Sequence, residues 1–390
     1  MSRSSVRTIL PLAVITCTSM LAADLYLPAV PHLQQSLDID VTAAQATVAV
    51  FFAGLAVSQL LWAELLSYWG PRRAVVVGIS ILALASVGAA LAPGIEMLLL
   101  MRLLQGLAAG VSTVVSPSVI RATLHESEAV HGIAAIAMIE SFVPAAGPVL
   151  GAALLLSMEW RGLFWILAAL SALALPFIMR VTPRELPGMD RAVNASYGRI
   201  LANSKYRRLV LSQALSFGGL LCFVASAPQL MVNALGLTVN AFAALQVMSV
   251  TTFIIVASQA GRITQRLGAA RAIQLGAWLQ VALAGALLLA ALFIDMPFAA
   301  IAVFWCGFCG ALAVRGPATF SEALAVPPAQ MGRAAAMLVL AMLLASALST
   351  QLVAPFMAGR SVVPLALTVL VQVVISLALV IRYPMVRIAS

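Results

Sequence analysis

Polar and charged residues along this chain fall into short clusters, and between them run stretches of about 20 almost wholly apolar residues. A helix needs a stretch of that length to cross the hydrocarbon core of a bilayer. Such stretches occupy residues 7–29, 44–66, 74–92, 97–119, 131–157 and 162–180. A second set falls at 209–234, 241–260, 272–294, 298–316, 333–358 and 362–383. The pattern predicts an all-α membrane protein with twelve transmembrane helices. One longer polar stretch holds Pro183, Pro187, Gly188 and Asn194 and separates six spans from six. The expected organisation is an N-terminal six-helix half at 1–180, a cytoplasmic linker at 181–208 and a C-terminal six-helix half at 209–390.

Composition agrees and excludes several classes. Of 390 residues, 63% are apolar and 9% charged, where soluble domains carry about 25% charged residues. Such a chain cannot cover itself with polar groups in water. The net charge of +9 comes from 22 basic and 13 acidic residues. It does not point to nucleic acid, because the basic residues sit at span ends, where they orient helices. With both termini cytoplasmic, that side holds 19 basic residues, among them Arg72, Arg73, Arg266, Arg271 and Arg315, while the other holds Arg161 and Arg360. This asymmetry predicts a multi-pass protein embedded in lipid with both termini on the cytoplasmic side.

The run from Arg3 and Arg7 to Ala23 has features of a signal peptide. Cleavage there would place Leu21 where small residues are required, so the run is read as an uncleaved first helix. Cys17, Cys222, Cys306 and Cys309 all lie in apolar stretches, and Cys306-x-x-Cys309 has no nearby His or Cys to complete a metal site.

The two halves repeat each other. A shift of 198 residues places Gly70 on Gly268 and Arg73 on Arg271, and similar shifts bring Gln45 close to Gln246 and Pro31 close to Pro228. Gly70 and Gly268 permit tight reversals, and the arginines after them anchor neighbouring helix ends. Two six-helix halves in a parallel repeat, with substrate held near the membrane midplane, is a transporter design.

Three further elements stand inside spans. Asp24-Leu-Tyr-Leu-Pro-Ala-Val-Pro31 ends the first, Arg102-Leu-Leu-Gln-Gly106 lies in the fourth, and Pro144-Ala-Ala-Gly-Pro-Val-Leu-Gly151 lies in the fifth, followed by Trp160-Arg161 and Phe164. By these residues the whole chain resembles the major facilitator superfamily. Within it, the chain is most similar to the bicyclomycin-resistance branch of the twelve-span drug:proton antiporters. The resemblance implies the major facilitator fold, a monomer, proton antiport, and an Asp24–Arg102 pair. It has one departure: Ser67 stands where the family's first cytoplasmic loop carries an Asp, and Glu64, one turn earlier, is the available substitute.

Charged side chains inside spans are expensive and mark function. Asp24, Arg102 and Glu140 are the three that this reading places well inside. At a rise of about 1.5 Å per residue, Asp24 lies about 25 Å from the inner end of span one and Arg102 about 8 Å from the outer end of span four, a placement that lets them pair. A carboxyl that toggles between Arg102 and solvent carries protons; a static pair only locks spans together. Glu140, about 12–14 Å in, is a second proton site, a counter-charge for a cationic substrate, or a structural group. Two acids against one arginine leave a net −1, which favours cationic or zwitterionic substrates.

Gly106-x-x-x-Gly110 and Gly147-x-x-x-Gly151 allow close helix approach, and Pro144 and Pro148 predict a kink in span five. Packing and gating roles therefore fall to Gly70, Arg73, Gly106, Gly147, Pro148, Gly151, Gly268 and Arg271. Met20, Tyr26, Gln105, Phe217, Phe223 and Phe253 are candidates to line an adaptable substrate cavity, with Met248 beside them.

His125, Glu126, Glu128 and His131 cluster on a loop without completing a metal site, and no phosphate-binding loop, nucleophile elbow or HExxH is present. No metal, cofactor, nucleic-acid partner or enzymatic activity is expected. The expected activity is proton-coupled efflux of small amphipathic compounds or drugs by alternating access. The alternative is dedicated export of a metabolite such as a siderophore or an amino acid.

Overall fold

A computed structural model describes residues 3–184, 197–293, 296–358 and 361–381. The centre of the expected linker, 185–196, lies outside them, as do Arg191, Asp295, Arg360, Arg382 and Arg387. Among the described residues every regular element is a helix, and the chain divides into two compact units, Met1–Val193 and Asn194–Ser390.

The N-terminal unit runs α1 (Arg3–Asp24), a 3-10 turn at Leu27–Ala29, α2 (Val30–Leu37), α3 (Val41–Ala90), α4 (Ile95–Thr123), α5 (Glu126–Leu154) and α6 (Trp160–Val181). The C-terminal unit runs α7 (Tyr197–Ala202), α8 (Ser204–Gln229), α9 (Val239–Leu267), α10 (Ala269–Phe293), α11 (Phe298–Ala323), α12 (Pro328–Val353) and α13 (Val363–Val380). Eleven helical runs among the described residues are long and apolar enough to cross a membrane. One of these, α3, contains two spans joined at Gly70, so twelve spans are present.

Local chemistry explains the boundaries. Asp40 Oδ1 accepts from the Ala43 amide at 2.7 Å and caps the start of α3, and Asn203 Oδ1 accepts from the Tyr206 amide at 3.2 Å at the start of α8. The reversals within α3 and between α9 and α10 sit on the two repeated glycines: Gly70 has φ 72° and ψ 165°, and Gly268 has φ 83° and ψ 153°. That combination is essentially confined to residues without a Cβ. Arg73 and Arg271, three residues beyond, are both exposed.

Two expected boundaries move. Span one does not stop near residue 29: helix resumes after a break and the apolar run extends over Ile9–Leu37. Pro28 has no N–H to give the carbonyl of residue 24, so α1 ends at Asp24, close to the middle of this run instead of near its end. α5 begins at Glu126, ahead of an apolar run that starts at His131 as expected, and carries Pro144 and Pro148 within it. Glu140 accordingly lies about 21 Å along α5. In α11 the helix continues through Pro317 to Ala323, seven residues beyond the expected end at 316.

Candidate functional site

Small residues bring α5 against the broken first span. A methyl group at Gly132 would lie 3.0 Å from Ile9 Cδ1, one at Gly147 2.6 Å from Asp24 Cβ, and one at Gly151 would strike the carbonyl oxygen of Leu25 and come within 3.2 Å of Pro28 Cγ. The pairs 132 with 9, 147 with 24 and 151 with 28 share one offset, so α1 and α5 run parallel in fixed register. Asp24 is half-buried and backs onto Gly147. Glu140, also half-buried, is two turns before Gly147 on the same face, and the offset sets it level with Cys17.

Arg102 is fully buried. Its Nη1 donates to the Ala22 carbonyl at 2.8 Å and to Gln105 Oε1 at 3.0 Å, and its Nε donates to the Thr47 carbonyl at 3.3 Å. The guanidinium carbon lies 4.3 Å from the ring centres of both Tyr26 and Phe51 and 5.9 Å from that of Phe164. Stacked aromatic faces are a favourable setting for a guanidinium. Tyr26 is tied in turn to Thr47, hydroxyl to hydroxyl at 2.7 Å, and Gln105 Nε2 donates to Ser86 Oγ at 2.8 Å. Arg102 Nη2 and the whole amide of buried Gln45 have no hydrogen-bond partner. No ion pair joins Asp24 to Arg102 among the described residues, although the guanidinium holds the carbonyl two residues before Asp24. Two of the proposed cavity residues, Tyr26 and Gln105, are thus engaged with Arg102, and Met20 is half-buried on α1.

α4 reaches this position because glycines let it close on α3. A methyl at Gly106 would strike the Phe51 carbonyl oxygen, and one at Gly54 would lie 2.5 Å from that of Leu103. Trp62 Nε1 adds a bond to the Leu107 carbonyl at 2.7 Å.

The C-terminal unit holds a second buried arginine. Arg315 was expected in a cytoplasmic loop; it is fully buried within α11, eight residues before the helix ends. Its Nη1 donates to Gln280 Oε1 at 3.2 Å and Ser376 Oγ at 2.9 Å, and its Nη2 to Ser212 Oγ at 2.6 Å. Ser216 Oγ also donates to Gln280 Oε1, at 2.7 Å. The cluster ties α8, α10, α11 and α13 together. Gly276 makes room for it, since a methyl there would lie 2.7 Å from Arg315 Cβ.

Above it along α11 is an aromatic stack: the Trp305 ring lies 3.6 Å from Phe223 and 5.0 Å from Phe308, nearly parallel to both. Tyr206 donates to the Ala334 carbonyl at 2.6 Å, and a methyl at Gly218 would lie 3.0 Å from Ala345 Cβ. These contacts set α8 and α12 in parallel register and put Thr350 level with Phe223. Trp305 Nε1, Thr350 Oγ1 and Ser226 Oγ are buried there without hydrogen-bond partners.

The family model described as "Major Facilitator Superfamily" matches residues 12–350. The chain belongs to the major facilitator superfamily. It is a multi-pass membrane protein with that superfamily's twelve-helix fold. It is similar to the "Multidrug resistance protein MdtL" of Escherichia coli O81 (strain ED1a), 26% identical over 229 residues, a match covering 58% of each chain. It is also similar to a "Chloramphenicol resistance protein" of Pseudomonas aeruginosa, 28% identical over 289 residues, covering 73% of this chain and 68% of that one. Among solved structures, the xylose transporter XylE from E. coli superposes with a TM-score of 0.75 at 13% identity, over 98% of both chains.

The remaining candidates of this major facilitator protein are scattered. Phe223 is in the aromatic stack, Phe217 packs beside the C-terminal core, and Phe253 is half-buried on α9. Met248 lines an open groove of about 400 Å³ beside α9 and α11, with Thr251, Thr252, Val303 and Cys306. All four cysteines are free, and no group of metal-ligating side chains is present among the described residues.

Proposed function

We propose that this chain is a proton-coupled exporter, exchanging protons for small amphipathic compounds across a bacterial inner membrane by alternating access. It works as a monomer with both termini in the cytoplasm and residues 181–208 as the cytoplasmic link between its halves. One observation carries the coupling role of Asp24. Arg102, buried and bonded to no carboxylate among the described residues, is anchored two residues from Asp24 on the Ala22 carbonyl and keeps its Nη2 without a hydrogen-bond partner. In one state the carboxylate takes that free donor; in the other it is protonated and Arg102 rests on the carbonyls and rings described above.

Asp24 sits where the first span is broken, so its surroundings change without unwinding a continuous helix. The downhill movement of a proton supplies about 2.3 kcal/mol per 100 mV of membrane potential. Glu140, level with Cys17 on the same α1–α5 seam, is the second acid of the path. The names of the MdtL and chloramphenicol-resistance relatives support efflux of foreign compounds.

The test is Asp24→Asn in proteoliposomes carrying an imposed pH gradient. Efflux of chloramphenicol should stop while its binding to the purified chain persists. Unchanged efflux removes Asp24 from the coupling mechanism. A wild-type chain that moves a single metabolite and none of a panel of antibiotics instead establishes the dedicated exporter.

A further inference from the structure

We propose that Arg315 is a specificity-determining residue: its buried positive charge biases this exporter away from cations and toward neutral or zwitterionic amphipaths. The proposal rests on the export reading above. Counting only Asp24, Glu140 and Arg102, the spans carry a net negative charge. Adding Arg315, fully buried inside α11, sets two guanidiniums against the carboxylates of Asp24 and Glu140.

Among the described residues, no carboxylate is bonded to Arg315. Its three hydrogen-bond partners, Gln280, Ser376 and Ser212, are all neutral. The C-terminal unit has two acids, Asp295 and Glu322. Glu322 is engaged by Lys205 at 2.6 Å, and Asp295 lies outside the described residues. The orientation of the Gln280 amide is fixed, because a guanidinium has no acceptor and Oε1 must face it. That leaves Gln280 Nε2 and Arg315 Nε as buried donors without acceptors. The cluster is rich in donors, positive and bonded to no carboxylate among the described residues, in a setting where a charge is felt over long range.

The aromatic stack with its unsatisfied Trp305 Nε1 and Thr350 Oγ1 is within that range. Trp305 is ten residues from Arg315 along α11, about 15 Å. A ligand charge held at that level interacts with Arg315 by a factor of about six at an effective dielectric of about 20. A cation is disfavoured by that factor, a neutral compound is unaffected, and a zwitterion gains when its negative end points toward α11.

The experiment compares efflux of tetraphenylphosphonium, a permanent monocation, with efflux of neutral chloramphenicol from the same proteoliposomes. The ratio of the two kcat/KM values cancels differences in the amount of active protein. In Arg315→Gln the ratio should rise about sixfold toward the cation. Gln280→Glu guards against a variant that fails to fold. It keeps the arginine and both bonds to position 280 Oε1, adds the missing negative charge, and should move the ratio the same way. Arg315→Lys keeps the charge and should leave the ratio where it is. A purely structural role for the cluster would lower stability and leave all three ratios unmoved, and that result overturns the inference while export stands. A wild-type chain that moves neither compound overturns the export reading and this inference together.

Discussion

A methyl group at position 147 is the smallest change that disturbs the seat of Asp24. Built on the backbone, it would lie 2.6 Å from Asp24 Cβ, 3.3 Å from the Asp24 carbonyl carbon and 3.4 Å from the Leu25 amide nitrogen. Non-bonded carbons rest about 3.5–4.0 Å apart, so in Gly147→Ala the two helices must part by about 1 Å. Rotation of α5 offers no escape, because Gly132 and Gly151 lie on the same seam and would carry neighbouring side chains into Ile9 and Leu25. Overpacking of this kind costs about 1–3 kcal/mol. The loss should appear in reversible unfolding of the purified chain in mixed micelles of SDS and dodecyl maltoside. If the strain falls only on states in which Asp24 rests on α5, it shifts the equilibrium between states by about 5- to 150-fold, and efflux falls with it. Gly261→Ala is the control: nothing lies within 4 Å of that position in α9, so the change should stabilise the helix by about 0.5–1 kcal/mol and leave efflux alone. A Gly147→Ala chain as stable as wild type, with full efflux, would refute the fixed α1–α5 register.

Three other substitutions separate backbone strain from side-chain chemistry. Gly268→Ala meets no neighbouring atom, so its whole effect is conformational and should cost about 1–3 kcal/mol of unfolding free energy. Gly70→Ala should match it; a harmless alanine at both would show that the reversals do not need φ near 72° and 83°. Arg102→Lys keeps the charge but loses the planar fork that reaches Ala22, Thr47 and Gln105 together, and should destabilise by about 1.5–3 kcal/mol. Full stability in that variant would mean the cage is incidental.

Much of the architecture was legible because membranes enforce simple rules. Spans must be apolar and about 20 residues long, and the twelve expected stretches correspond to the twelve observed. The repeat was legible in two glycines for a similar reason: the backbone angles at Gly70 and Gly268 admit few other residues. Helix ends were harder to read. Pro28 and Pro317 are the same residue type, yet α1 ends four residues before the first while α11 runs through the second. Neighbouring helices decide which freed carbonyls find other partners, and a linear reading does not see those neighbours. The seat of Asp24 on Gly147 depends in the same way on which helices touch, although each residue was singled out alone.

Arg315 was hidden by a rule that usually works. Basic residues near span ends orient the protein, and an arginine beside Gly316-Pro317 looks like the last residue before a loop. The partners that keep it inside lie on three other helices, at Ser212, Gln280 and Ser376, with no spacing that links them. A serine or glutamine in an apolar span is weak evidence taken singly, because each can bond to its own helix. Three of them on different spans, with no charged group between them, gain meaning only when an arginine needs three acceptors. Moving one arginine from loop to interior changes the topology count by one in 19, which is negligible, but it offsets the net −1 of Asp24, Glu140 and Arg102. The net −1 behind the expected preference for cationic or zwitterionic substrates therefore no longer describes the embedded charges once Arg315 joins Asp24, Glu140 and Arg102. Substrate charge in a membrane transporter is read safely only once every basic residue near a helix end has been placed.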